Sequence, residues 1–403
     1  MPPLLTVAGN DATCDALCDV SITRGRQHPA ENYDPSTFGV TLINTTAGSV
    51  RRGDTVTFAL DAPASTPTWD NSTDTWDAQT GTWDSKVTRI TLFSGYVTDL
   101  TAAWLITPEG TLPTTRCVAV DPLTALANTL VGDAPWPSET CAARASRIAA
   151  LVGIALTILG TGPVLLARDV DRQPALDLLD GCAADGSEWG GIFYDPSSAT
   201  YQWTLGTERN TTTAAITVDA CNMLGDFTVV QAVSDIVNDV TVTYGSPTAE
   251  VYATDAGSAS KDGTRHVTIS THLANTTDAQ QRATDHLTRY LTPAWKVDHL
   301  LVPSSLLDPA GERPFAESLL KLPLGARIAM TGLPAPASSN PNGYLEGWSF
   351  DMQGSPDKWS VGLHVSPAQW SGPLITWDGA DTAVAPSWDA VPYYTAWNDV
   401  VGG

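Results

Sequence analysis

Basic residues are scarce in this chain of 403 residues: 21 Lys and Arg stand against 44 Asp and Glu, for a formal charge of −23 and a sequence pI of about 4.3. Such a surface repels a phosphate backbone, which argues against sequence-specific nucleic-acid binding; solubility alone accounts for the sign, which is also the one a conduit for DNA would want, so charge excludes more than it identifies. Cysteine is sparse too. The six are scattered with no Cys-x-x-Cys and no histidine pair at zinc spacing, so the expectation is reduced, buried thiols in a protein made in the cytoplasm. Cys14 and Cys18 are the closest pair, and whether they form a disulfide is left open. The opening Met1-Pro2-Pro3-Leu4-Leu5 lacks the basic region and apolar core of a signal peptide. Without a secretory route the Asn-x-Ser/Thr triplets at Asn44, Asn71, Asn210 and Asn275 carry no weight.

Long apolar runs are missing except for residues 148–167, which carry no charge between Arg147 and Arg168. Twenty residues suffice to cross a bilayer, but Gly160-Thr161-Gly162-Pro163 divides the run into the end of a helix from Ser138 and a short buried strand. No stable membrane insertion is expected.

Catalytic signatures are absent as well. There is no P-loop, dinucleotide glycine fingerprint, His-Glu-x-x-His or Gly-x-Ser-x-Gly. The six histidines (His28, His266, His272, His286, His299, His364) are dispersed; His266 and His272 share a face of a candidate strand and read as a surface pair. Among 44 acidic residues carboxylate pairs arise by chance, so none identifies a glycosidase. Asp70, Asp77 and Asp84 lack the dense alternating oxygen ligands of calcium loops. The sequence therefore implies no catalytic residue, no metal and no cofactor.

What is present is period-two alternation. It marks strands at Ser21-Ile22-Thr23-Arg24-Gly25-Arg26, at residues 38–44, at residues 55–60, at Leu92-Phe93-Ser94-Gly95-Tyr96-Val97 and at Leu345-Glu346-Gly347-Trp348-Ser349-Phe350. The fold class is mainly β with an α/β middle region. Residues 1–118 are β-rich, with a polar insertion at 61–86. That insertion repeats Thr68-Trp69-Asp70, Thr75-Trp76-Asp77 and Thr82-Trp83-Asp84 every seven residues among poor helix formers, which predicts an irregular loop pinned by aromatic anchors.

Residues 119–213 turn α/β. Asp121-Pro122 starts a helix with Leu123, Leu126, Ala127 and Leu130 on one stripe, and others begin near Ser138 and Pro174. Asp195-Pro196-Ser197-Ser198 then joins a hairpin. Residues 214–370 are again β-rich, interrupted by a helix that Thr277 is expected to cap and Pro293 to stop. Residues 371–403 form a tail with Trp377, Trp388 and Trp397 and no core pattern of its own.

Taken in order, Arg24-Gly25-Arg26, residues 40–44, residues 53–56, residues 93–96, residues 238–242, residues 325–330, Glu346-Gly347-Trp348 and residues 359–367 resemble the pattern of tail-hub (minor tail, baseplate hub) proteins of long-tailed phages, of actinobacteriophage type. The resemblance implies two tube-type β-barrels per subunit with inserted α/β domains, the second barrel lying in residues 214–370 and holding the strand at 238–242. It also implies a homotrimer whose six barrels dock on the sixfold distal tail protein ring at the tip of the virion tail. Its further partners would be the end of the tape measure protein and tail fibre or other minor tail proteins, with DNA only in transit. The lumen would stay closed until DNA ejection. The Thr-Trp-Asp repeat and the C-terminal arm depart from the pattern. Their tryptophans (Trp69, Trp76, Trp83, Trp377, Trp388, Trp397) are candidate interaction residues, since one buried indole contributes about 2 kcal/mol or more at an interface. Competing readings are a carbohydrate-binding tail protein that stacks these tryptophans on host cell-wall sugars, and a tail-associated hydrolase.

Overall fold

Alternating sequence becomes strand throughout the first third of the molecule. The computed structural model describes residues 3–13, 16–28, 31–43, 50–63, 87–108, 110–132, 135–209, 213–220, 223, 228–298, 300–307, 311, 314–334, 337, 342–355 and 357–368. Seven strands come first: β1 (Pro3–Val7), β2 (Asn10–Asp11), β3 (Ala16–Gly25), β4 (Asp34–Ile43), β5 (Thr55–Pro63), β6 (Val87–Thr107) and β7 (Gly110–Val120). They pair antiparallel in the order β3-β4-β7-β6-β5-β1-β2. In β4 the alternation puts Phe38, Val40 and Leu42 on the buried face, as a period of two requires.

The same sheet continues with strands from the other end of the chain. Strand Asn342–Gln353 pairs with β3 over residues 347–353, with Arg327–Thr331 over residues 342–344, and with Trp359–Pro367 along its opposite edge. Leu300–Pro303 and Ile216–Asp219 complete the twelve strands, the latter by a parallel pairing. The protein is thus mainly β, built on one large and almost wholly antiparallel sheet. Among the described residues its strand order runs from Ile216–Asp219 to β2 without the two ends pairing.

One core serves both ends of the chain. Phe38 stacks on Phe93 at 5.1 Å, Phe58 packs on Phe350 at 5.7 Å, and Phe350 on Trp359 at 5.3 Å. Each fully buried ring contributes on the order of 2–3 kcal/mol, so this aromatic row is a main source of cohesion between residues some 250–320 positions apart.

The middle region holds α1 (Leu123–Asn128), α2 (Cys141–Val152) and α3 (Ala175–Gly186) with the sheet Leu156–Leu159, Thr200–Thr204, Gly191–Asp195. Thr140 caps α2 by accepting the Ala143 N–H at 3.2 Å, and Gly153 at φ 73° ends it. The charge-free run 148–167 is divided at residues 160–163 as its breakers predict, with the short strand Val164–Leu165 beyond them, but the half before them is not all helix: α2 stops at Gly153, whose left-handed φ ends it, and Leu156–Leu159 is a strand. Among the described residues no helix is long and apolar enough to cross a membrane.

Further along come α4 (Ala256–Asp262), α5 (Thr276–Tyr290) and α6 (Phe315–Leu320). The strand Asp239–Tyr244, expected in a second barrel, lies in a separate sheet between Ala249–Thr254 and His266–Ser270. Val240 and Val242 there share a second core with α1, α2, α3 and with Ala279 and Ala283 of α5. α5 also starts earlier than expected. Asn275, not Thr277, is the cap, because its side chain accepts the Asp278 N–H at 2.9 Å. Asn275→Ala should cost about 1 kcal/mol in chemical denaturation, whereas Thr277→Ala, inside the first turn, should cost less than half of that.

Candidate functional site: a buried ionic junction

Two of the sequence motifs, more than 300 residues apart, meet face to face. β3 ends in Arg24-Gly25-Arg26 and strand Asn342–Gln353 carries Glu346-Gly347-Trp348, with Gly25 paired to Gly347. The glycines are what allow the meeting. A Cβ on Gly25, which has φ +88°, would lie 2.4 Å from the Glu346 carbonyl oxygen, and one on Gly347 would lie 2.6 Å from that of Arg24. Beside them Arg24 lies over the Trp348 ring at 5.9 Å, and Gly343 to Trp348 are buried on both faces, so the alternation seen in sequence holds only beyond Trp348.

Glu346 is the centre. It is fully buried and receives the Arg26 Nε–H at 2.9 Å on Oε2, two bonds from Arg209 at 2.5 and 2.9 Å, and the Ser366 hydroxyl at 2.5 Å. Burial alone would push its carboxyl up, but Arg209 and Arg26, with hydrogen bonds from Arg209 and Ser366, hold it at about 2. The arginines reach further. Arg26 donates to the carbonyls of Glu31 and Trp189, both at 2.9 Å, and lies 4.3 Å over the Tyr33 ring. Arg209 adds a bond to the Trp189 carbonyl at 3.3 Å. Trp189 itself has φ +64°, rare for a bulky residue, and in that conformation its carbonyl serves both guanidinium groups.

The neighbouring Glu188 ties in α5. His286 bonds its Oε1, Arg289 donates to Oε2 at 2.6 Å, and Arg282 stands at 3.6 Å. Burial would raise this carboxyl, yet the His286 hydrogen bond and the charges of Arg282, His286 and Arg289 hold it at about 2. The turn after α3 therefore joins three parts: the large sheet through Arg26 and Glu346, the middle region, and α5 through Glu188. Such an arrangement fixes orientation. Every carboxylate oxygen of Glu346 and Glu188 is engaged, by a guanidinium, an imidazole or a hydroxyl.

Two further buried carboxylates line the same seam. Asp180 accepts the Ile192 N–H at 3.2 Å, and burial pushes it up to about 7; Asp121 accepts the N–H groups of Ser36 and Leu123, and burial pushes it up to about 6. A carboxyl whose folded value is raised supplies stability at low pH that is lost as pH rises through that value. Asp180→Asn keeps the acceptor and removes the charge, so its melting temperature should match that of the parent below the ordinary Asp value of 3.8 and exceed it increasingly as pH rises through about 7.

The candidate residues read from sequence fall elsewhere. Trp69, Trp76, Trp83, Trp377, Trp388 and Trp397 lie outside the described residues, as do Asp70, Asp77 and Asp84. His266 contacts Asp239 at 3.0 Å and His272, beyond the end of the strand His266–Ser270, contacts Asp185 at 2.8 Å. Among the described residues no three His, Cys, Asp or Glu side chains gather as a metal would require. Sequence reading singled out both motifs of the junction but missed Arg209, Glu188 and Trp189. The available signal was Glu346 itself, an acid inside a strand otherwise apolar from Gly343 to Trp348, which demands a cation from somewhere.

No described protein family and no curated protein matches the chain. Solved structures do. The tail protein from Neisseria meningitidis MC58 is similar with a TM-score of 0.59 at 12% identity, over 93% of this chain and 100% of its own. The 43 kDa tail protein of prophage MuSo2 from Shewanella oneidensis gives 0.59 at 12% identity over 92% and 98%. The prophage tail protein gp18 from Listeria monocytogenes EGD-e gives 0.53 at 9% identity over 90% and 94%. The chain shares the fold of these tail proteins.

Proposed function

We propose that this chain is the structural hub of a phage tail tip. Three copies adapt the sixfold distal tail ring to threefold symmetry and close the tube until DNA is ejected. The observation that carries the reading is the likeness of fold, which spans nine-tenths of this chain and nearly the whole of each tail protein it resembles. Several features favour it. The large sheet draws its strands from residues 3–120 and from residues 216–367, which this reading takes as two tube-type barrels, six in a trimer. The middle region and α5 are locked to the sheet by the Glu346 and Glu188 networks, which suits a part that bears load and catalyses nothing. An excess of 23 negative charges lets DNA pass without adhering. In the particle the hub sits at the distal tip. It contacts the distal tail ring above, the end of the tape measure protein within, and tail fibres or other minor tail proteins through the tryptophans of the insertion and the C-terminal arm.

The test is the mass of the purified chain by light scattering, alone and with the distal tail ring of the same phage. A trimer, or a monomer that loads three to each sixfold ring, is expected. A chain that stays monomeric and ignores the ring overturns the hub.

A further inference from the structure

We draw no further inference here: the strongest candidate, the exposed apolar tip of the β6–β7 hairpin around Trp104 and Ile106, is a face with no partner among the described residues, and nothing in the structure shows what covers it.

Discussion

Replacing Glu346 by glutamine should cost about 3–5 kcal/mol of stability, because it leaves two buried guanidinium groups facing a neutral amide. The loss should be read by denaturant unfolding at neutral pH, with the parent as reference. It also carries a pH signature. The Glu346 carboxyl titrates in the folded protein at about 2, below its ordinary 4.5, so its contribution is complete above 4.5 and is lost as pH falls through 2. The gap between parent and Glu346→Gln should therefore narrow steadily below pH 4.5. A change under about 1 kcal/mol at neutral pH would mean that the network is ornamental and that the aromatic row alone holds the two ends of the chain together.

Gly25→Ala should be nearly as damaging, for a different reason. The new Cβ meets the Glu346 carbonyl at 2.4 Å and the Gly347 Cα at 2.6 Å, both backbone atoms that cannot swing aside, and φ +88° is left-handed. Separation of the two strands together with a strained backbone should cost about 2 kcal/mol or more. Gly9→Ala is the control: φ +80° is similar, but nothing lies within 4 Å, so only the conformational cost of about 1 kcal/mol remains. Melting temperatures of the two variants side by side decide it. Equal losses would mean that the close approach of β3 to strand Asn342–Gln353 is not needed.

How much of this was legible in the sequence follows from the range of each signal. Strands that bury one face announced themselves, and β4, β5 and the hairpin around Asp195 lie where the alternation predicts. Local breakers worked too: Gly160 to Pro163 rightly divided the apolar run. β6 was recognised only near residues 92–97. Its outer part, Thr101-Ala102-Ala103-Trp104-Leu105-Ile106, is exposed on both faces and so has no alternation to read. The cap of α5 was misplaced by two residues because Asn275, Thr276 and Thr277 are all competent caps, and only the backbone chooses among them. The junction was half legible. Both motifs stood out as strands, but the pairing of Arg26 with Glu346, 320 residues apart, and of Arg209 with Glu346, 137 apart, exists only once the sheet has formed. Local sequence says that an acid in an apolar strand needs a cation, but not which one, and Arg26 and Arg209 reach Glu346 only in the folded sheet.

The hub reading comes down to where the chain sits and in how many copies. The measurement that bears on this most directly is a cryo-electron microscopy reconstruction of the phage tail tip carrying this chain, with its copy number counted against the sixfold tube. Three copies around the axis at the distal end are the expected result. Six copies stacked along the tube, or density for this chain away from the tip, would contradict the account.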